Sequence, residues 1–202
     1  MNRLSEFKNP RRKILFLGYD RSETNIIDSV IKENCNVDHT DKEINEINGY
    51  DFAISYGYRH IFKKDILKNS KCPIFNLHIS YLPYNRGAHP NFWSFYDKTP
   101  SGVTIHIVDE GIDTGPIVAQ KFVNFKKKDD TFSKTYEILK CEIEKLFLEI
   151  LDSLLLMKWI CIKQIGEGSN HRKSDLPKNF SGWGSKIKEE IEKLYKEGLL
   201  YD

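Results

Sequence analysis

The sequence lacks the features that mark several large classes of protein. Its 31 lysines and arginines nearly balance 29 aspartates and glutamates, for a net charge of +2, so the overall charge gives no sign of a nucleic-acid or anionic-membrane partner. No apolar run reaches the roughly 18 residues of a membrane span, because Glu149 and Asp152 interrupt the longest one. The first residues are polar and basic, unlike a signal peptide. We predict a cytoplasmic chain with no nucleic-acid or membrane partner.

The motifs of several common sites are also missing. The four cysteines form no CxxC pair and have no histidine at ligand spacing, so we predict no metal site. The first strand-to-helix turn, residues 18–22, holds one glycine, whereas the dinucleotide fingerprint needs three. There is no GxSxG motif and no cysteine beside a histidine. These absences disfavour zinc, NAD and a covalent nucleophile.

The sequence does contain short apolar runs that alternate with amphipathic stretches. Runs at 13–18, 51–57, 73–79, 102–108 and 117–123 predict strands, and apolar residues at helical spacing predict helices at 23–33, 132–154 and 185–196. This order predicts an α/β fold with a Rossmann-like, mostly parallel sheet flanked by helices. We expect a polar N-terminal arm (1–12), a catalytic domain (13–165) and a C-terminal tail with a short helix (166–202). The three lysines at 126–128 are expected to form a solvated turn.

Asn76 and His78 form a polar pair that packing does not explain. They lie two apart in an apolar strand, so both side chains point to one face, while Phe75 and Leu77 point to the other. Buried without partners, each would cost on the order of 1–3 kcal/mol. Open α/β sheets bind their ligands at the carboxyl ends of the strands, which favours a functional pair.

Asp113 lies in a glycine-containing loop after another predicted strand, so it can reach the same end of the sheet. A carboxylate there would fix the tautomer of an imidazole. Asp109 and Glu110 compete for this role, although turn formation explains Asp109 by itself. An amide donor, an imidazole and a carboxylate suit acyl transfer without a covalent intermediate. His106, alternating on a strand, has no evident partner and is expected to be structural or exposed.

Four motifs in a fixed order carry a resemblance to a known family. They are Asn76-Leu77-His78, Leu82-Pro83-x-x-Arg86-Gly87, Gly102-Val103-Thr104 and Asp109-x-Gly111-x-Asp113-x-Gly115. Over roughly residues 50–125 the chain resembles the formyltetrahydrofolate-dependent formyltransferases. The resemblance implies 10-formyltetrahydrofolate as formyl donor and Asn76, His78 and Asp113 as catalytic residues.

The resemblance also implies where the donor binds. Two segments match the parts of the family that line the folate pocket, largely through backbone groups. Their residues are Tyr56, Gly57, Tyr58, Arg59, His60, Ile61, Val108, Asp109, Glu110, Gly111 and Ile112.

Residues 82–95 and 169–176 resemble the sugar-nucleotide N-formyltransferases. This implies a nucleotide-linked dideoxy-amino sugar as acceptor, with dTDP as the expected nucleotide and lipopolysaccharide O-antigen biosynthesis as the setting. Aromatic side chains would meet the base, and guanidinium groups would match the diphosphate. The predicted acceptor residues are Tyr84, Asn85, Arg86, Trp93, His171 and Arg172. For Trp93, core packing is the stronger interpretation.

Other functions stay open at this stage. Glycinamide ribonucleotide formyltransferase is of similar length, although its counterpart of the turn at 84–87 reads differently, and formyltetrahydrofolate hydrolase would use the same Asn, His and Asp with water in place of an amine. A non-catalytic folate- or nucleotide-binding module is a third class. Transfer to tRNA is disfavoured by the small net charge and by the 77 residues after position 125, which we expect to be too few for the further domain of the tRNA enzymes. A homodimer is compatible with the resemblance.

Overall fold

A six-stranded mixed sheet forms the centre of the protein. The structure is a computed structural model that describes residues 11–125 and 130–198. The expected lysine turn at 126–128 and most of the expected N-terminal arm therefore lie outside the described residues. Arg12 pairs with Asp51 at 3.0 Å and donates to the Leu155 carbonyl, so the described end of that arm is attached to the sheet domain.

The elements alternate in the way that the apolar runs predict. In chain order they are β1 (Lys13–Gly18), α1 (Ile26–Lys32), β2 (Asn36–Thr40), β3 (Phe52–Tyr56), α2 (Lys64–Asn69), β4 (Ile74–His78), β5 (Arg86–Gly87), α3 (Pro90–Tyr96), β6 (Gly102–Ile107), β7 (Ile117–Phe122), α4 (Phe132–Leu155), β8 (Asn170–His171), a 3₁₀ turn (Lys173–Asp175) and α5 (Ile187–Gly198). The prediction of an α/β fold is confirmed.

The strand order of the main sheet is β2-β1-β3-β4-β6-β7. The first four strands are parallel, and β6 and β7 continue the sheet in the antiparallel sense. In β1 the alternating side chains divide between two cores. Phe16 packs under α1 and α4, whereas Leu15 and Leu17 pack toward α2. The sheet is therefore buried on both faces, which explains why its strands consist of unbroken apolar runs.

Several short elements are absent from the sequence-based prediction, among them β2 and α2 in the N-terminal half. β2 is an edge strand with the sequence NVDHT, and most of its side chains are exposed. α2 is six residues long and buries only Ile66. Neither contains the periodic apolar pattern on which the prediction depends. The N-terminal half therefore contains more secondary structure than its apolar runs predict.

The tail packs on the rest of the domain at two places. β8 pairs in parallel with β5 and so aligns Gly87 with His171. The apolar side of α5, predicted as Ile187, Ile191 and Leu194, packs in a cluster with Phe92 of α3 and other aromatic side chains. The expected boundary at 165/166 stays a prediction, but the tail is in contact with the part of the chain that carries Asn76 and His78. Among the described helices, none is both long and apolar enough to cross a membrane.

Candidate active site

Asn76 and His78 lie side by side at the carboxyl end of β4. Their side chains share one face of the strand, while Phe75 and Leu77 are buried in the core beneath α4. His78 is buried, and its Nε2 atom lies 3.4 Å from the carbonyl oxygen of Asn85. The period-two alternation of the strand therefore produces the polar face that the sequence predicts.

Asp113 completes the cluster from the loop between β6 and β7. Its backbone lies in the left-handed region at φ 52°, and its Oδ1 atom accepts from Asn76 Nδ2 at 3.2 Å. Oδ2 accepts from the Gly87 backbone N–H at 2.8 Å and lies 3.7 Å from His78 Nε2. Gln164 donates to the carbonyls of Asp113 and Gly115, both at 2.8 Å, and so holds the loop in place.

The two competing carboxylates have other partners. Asp109 accepts from the Gly111 N–H at 3.0 Å and from the Thr114 hydroxyl at 2.6 Å, which closes the loop. Glu110 pairs with Lys64 and Lys68 on α2. Of the three acidic residues that the sequence leaves open, Asp113 is the one that faces Asn76 and His78.

His106 belongs to the same cluster, although the sequence analysis assigned it no partner. It is buried, and its Nε2 atom lies 3.2 Å from Asp113 Oδ1 and 3.1 Å from Asn76 Nδ2. Of the two expectations for His106, structural or exposed, exposure is wrong for a topological reason. Because β6 runs antiparallel to β4, their register pairs His106 directly with Asn76. The partner of His106 could have been predicted only from the direction of β6 relative to β4, and the sequence pattern does not reveal that direction.

Burial and charge set the protonation states of the pair that faces the cavities. Burial lowers the pKa of His78 below its ordinary 6.5, and the neighbouring Asp113 carboxylate offsets only part of this effect. Burial would raise the pKa of Asp113, but its electrostatic interactions with the His78 and His106 side chains and its hydrogen bonds, including the one from the Gly87 N–H, outweigh burial and hold that pKa well below the usual range. Near neutral pH the site therefore contains a neutral His78 beside an ionised Asp113.

Two cavities adjoin the cluster, and a third lies beside one of them. The large cavity, of about 760 Å³, and the small cavity, of about 240 Å³, are both lined by Asn76 and Asp113. His78 lines the small cavity. A third cavity, the aromatic cleft of about 520 Å³, shares Ile79, Pro90 and Tyr136 with the small cavity. The polar cluster thus lies at the border between two spaces that can each receive part of a reactant.

The predicted donor residues divide between the first two cavities. Tyr56 and Gly57 line the small cavity, and Tyr58 lines both. The remaining predicted donor residues that line the large cavity are Arg59, His60, Ile61, Val108, Asp109, Glu110, Gly111 and Ile112. Two segments that are some fifty residues apart in the chain are therefore brought to one cavity, because β3 and β6 both flank β4.

The predicted acceptor residues are more scattered. Tyr84 is part-exposed, and the buried Asn85 side chain bonds to Thr99 and Ser169. The Arg86 guanidinium donates to Gln164 and to the carbonyl of Glu167.

Trp93 contacts the tail at His171 and lines none of the three cavities. Trp93 is buried and stacks on His171 at 3.9 Å between ring centroids. His171 and Arg172 line the large cavity with the predicted donor residues. The structure therefore does not gather the predicted acceptor residues around one space. Among the described residues no group of three or more histidine, cysteine or acidic side chains could hold a metal ion.

Fold and site together define an α/β protein with an Asn-His-Asp cluster at the carboxyl edge of a mixed sheet, between two cavities. The chain belongs to the formyl transferase family, whose model matches residues 21–151. That range includes Asn76, His78, His106 and Asp113. The family resemblance drawn from the sequence motifs is confirmed.

One solved relative matches over almost its whole length. The formyltransferase PseJ from Anoxybacillus kamchatkensis is 40% identical, with a TM-score of 0.83, over 90% of this chain and 98% of that chain. Its crystal structure contains UDP-4,6-dideoxy-4-formamido-L-AltNAc and tetrahydrofolate. An N-formyltransferase from Helicobacter canadensis shares the fold at 20% identity, with a TM-score of 0.67 over 82% of this chain and 72% of that chain.

Curated relatives match over shorter stretches. A methionyl-tRNA formyltransferase from Thermodesulfovibrio yellowstonii is 37% identical over 56% of this chain and 36% of its own length. A dTDP-4-amino-4,6-dideoxyglucose formyltransferase from Mycobacterium bovis is 30% identical over 64% of this chain and 54% of its own length. The chain thus spans about a third and about half of these two relatives.

Proposed function

We propose that this protein is a sugar-nucleotide N-formyltransferase, which moves a formyl group from 10-formyltetrahydrofolate to the amine of a nucleotide-linked dideoxy-amino sugar. The observation that carries the proposal is the position of Asn76, His78 and Asp113 at the border of the large and small cavities. A donor in one cavity and an amine in the other would meet at these three side chains. The similarity to PseJ over nearly its full length supports the same reaction class.

The large cavity suits the folate donor. Its volume of about 760 Å³ lies in the range of cavities that hold drug-sized ligands. Its lining includes Tyr58, His60 and Phe62, whose rings lie close together, and residues 108–112. Arg172 and Lys173 lie at the same cavity, so they could pair with the carboxylates of the donor's glutamate tail. Neighbours crystallised with tetrahydrofolate or folinic acid support a folate as the donor.

The transfer itself needs no covalent enzyme intermediate. The amine nitrogen attacks the formyl carbon, a C–N bond forms, and a tetrahedral oxyanion develops. When the bond from the formyl carbon to N10 of the folate breaks, the amine has lost one proton and N10 has gained one. Tetrahydrofolate and the formamide are then the two products. Holding both reactants in line supplies much of the acceleration.

Three side chains have distinct parts in this reaction. The Asn76 amide donates to the developing oxyanion, and loss of one such donor costs roughly 10²–10³ in rate in other enzymes. Neutral His78 has a free imidazole lone pair, so it can take the proton from the attacking amine. Asp113 bonds to Asn76 and to the Gly87 N–H and keeps a negative charge beside His78, so it favours the imidazolium that forms.

The nucleotide on the acceptor is assigned from the solved relative. PseJ was crystallised with a UDP-linked 4-formamido sugar and is covered almost completely by this chain, whereas the dTDP-sugar relative is covered over 54% of its length. We therefore propose a UDP-linked 4-amino-4,6-dideoxy sugar as acceptor. The dTDP-linked sugar expected from the sequence is the alternative.

The proposal is tested by mass spectrometry of amines incubated with the protein and 10-formyltetrahydrofolate. The panel holds UDP-linked 4-amino sugars, dTDP-linked 3-amino and 4-amino sugars, glycinamide ribonucleotide and methionyl-tRNA. A formyl mass gain on a nucleotide sugar, absent with Asn76→Ala, is the expected result. A gain only on glycinamide ribonucleotide or on the tRNA contradicts it, and release of formate without any product indicates a hydrolase.

A further inference from the structure

The aromatic cleft is the space into which a bound acceptor would extend. With the donor in the large cavity, the amine reaches Asn76 and His78 through the small cavity. The small cavity has a volume of about 240 Å³, enough for a sugar but too small for a complete sugar nucleotide. Its walls at Ile79, Pro90 and Tyr136 continue directly into the aromatic cleft of about 520 Å³.

The cleft presents a preformed stacking surface. Trp183 is 40% exposed, yet its ring is supported by Phe180 at 4.9 Å and by His89 at 5.1 Å between centroids. Its backbone carbonyl accepts from the N–H of Ser133 at 2.8 Å, which ties this loop to the start of α4. Because the indole is held in place but open to solvent, a ligand can contact it without the side chain losing much conformational entropy. Aromatic residues that bind flat ligands have this property.

A cation lies at the junction of the cleft and the large cavity. Arg59 lines both spaces, and no hydrogen bond or ion pair with another described residue engages its guanidinium. The cations that the sequence analysis proposed for a diphosphate lie elsewhere. Arg86 is bonded to Gln164, and Arg172 lines the large cavity.

The cleft also carries an acceptor for a base N–H. Glu137 and Ser133 lie on its α4 wall, one turn apart, and both are exposed. The Ser133 hydroxyl donates to the carbonyl of Trp183 at 3.0 Å, so it can only accept a further bond. Uracil and thymine share an N3–H donor, which a carboxylate or this hydroxyl oxygen can accept.

We propose that the aromatic cleft binds the pyrimidine nucleoside diphosphate part of the acceptor, with the base stacked on Trp183 and the diphosphate paired with Arg59. This inference deepens the proposed function and rests on it. It assigns the acceptor's nucleotide to Trp183, Arg59, Glu137 and Ser133, none of which the sequence analysis selected for that part of the acceptor.

Calorimetric titration with UDP and with dTDP tests the site without any turnover. We expect the wild-type protein to bind at least one of the two, and Trp183→Ala to weaken that binding roughly ten-fold or more, since stacking on an aromatic ring contributes this much elsewhere. Phe122→Ala, which removes another exposed aromatic ring on β7, is the matched control and should bind as the wild type does. Retained tetrahydrofolate binding shows that each variant is folded.

A second variant keeps the test independent of Trp183. Arg59→Gln should weaken binding of UDP but leave binding of uridine unchanged, because uridine has no diphosphate to pair with the guanidinium. If Trp183→Ala does not fold, Trp183→Phe replaces it and should retain most of the affinity for the nucleotide. The proposal is then tested by the loss of UDP binding in Arg59→Gln.

The outcomes separate this inference from the proposed function. Wild-type protein that binds neither nucleotide, or Trp183→Ala that binds UDP normally, overturns the cleft assignment even if amino sugars are formylated. Nucleotide binding that depends on Trp183 and Arg59 supports the assignment. If no amino sugar is then formylated, the cleft assignment stands and the proposed reaction fails.

Discussion

The polar cluster and the aromatic cleft are built in opposite ways. Asn76, His78 and His106 come from two paired strands of the sheet and are buried or half-buried, with Asp113 bonded between them. The cleft instead combines the starts of α3 and α4 with loop residues from distant parts of the chain, and its main aromatic surface is part-exposed. A rigid sheet edge is suited to precise positioning of reacting groups, whereas loops on a scaffold supply recognition.

The difference extends to electrostatics. In the cluster, burial makes each protonation state sensitive to its neighbours, as the lowered pKa values of His78 and Asp113 show. In the cleft, Arg59 and Glu137 are exposed to solvent and line the open space, where a ligand can reach them. Substitutions in the cluster should therefore affect the chemical step, and substitutions in the cleft should affect binding.

The largest expected effect is that of His78→Ala. Loss of the group that takes the amine proton should lower kcat by about 10²–10⁴-fold, with little change in the affinity for UDP. Steady-state kinetics and UDP calorimetry measure the two quantities. His39→Ala, at a histidine that contacts the Gly18 carbonyl on another strand, is the control and should keep normal turnover. Near-normal turnover of His78→Ala would show that His78 is not the group that takes the amine proton.

The pH dependence of kcat/KM should reveal the neutral His78. Because burial lowers its folded pKa below 6.5, the imidazole keeps its free lone pair at pH 7 and loses it only as the pH falls through that lowered value. The acid limb of kcat/KM is thus expected below pH 6.5, with roughly a ten-fold loss per pH unit once the limb is reached. An acid limb that begins above pH 6.5 and is absent from the profile of His78→Ala would contradict the electrostatic contrast between the two regions, because a limb that persists in that variant belongs to the acceptor amine.

Gly87→Ala tests the contact that joins the tail to the cluster. Gly87 lies at φ +84°, and an added Cβ would come within 2.4 Å of the His171 carbonyl oxygen. The backbone conformation alone costs roughly 1–2 kcal/mol, and the clash adds to this. Denaturant unfolding should show a larger loss for Gly87→Ala than for Gly49→Ala, which has φ +79° and no atom within 4 Å of its Cβ. Equal losses in the free energy of unfolding would mean that the tail moves away from the added Cβ without destabilising the protein.

The Gly87 variant should also lose activity. Its backbone N–H donates to Asp113 at 2.8 Å, so displacement of this strand moves the carboxylate. We expect kcat to fall in Gly87→Ala and to stay unchanged in Gly49→Ala. Normal kcat in both variants would show that the loop after β6 holds Asp113 without help from the tail.

The smallest expected effect is at the start of α4, beneath the cleft. Thr131 caps this helix, and its hydroxyl accepts from the Lys134 N–H at 3.3 Å. Thr131→Ala should lower the free energy of unfolding by about 1 kcal/mol, and Thr131→Ser should restore most of it. Neither change should alter kcat. A loss of kcat in Thr131→Ala would indicate that the helix start is coupled to the cluster.

Much of the site could be predicted from local patterns. Alternation along β4 places Asn76 and His78 on one face, and the loop position of Asp113 follows from the end of the preceding strand. The part that could not be predicted depends on strand direction and on distant packing. His106 joins the cluster through antiparallel pairing, and Arg86, selected as a phosphate ligand, is engaged by Gln164 from 78 residues further along the chain.

The sequence by itself determined the central strands, the long helix α4 and the polar face of β4, because these depend on the spacing of neighbouring residues. Family membership was also carried by motifs of this local kind. The tertiary structure decided which histidine joins Asp113, which cations remain free, and that Trp183 meets the wall of α4 across some fifty residues. Those outcomes arise from strand register and long-range packing. Their free energy is shared among many residues, so no short segment of the sequence determines them.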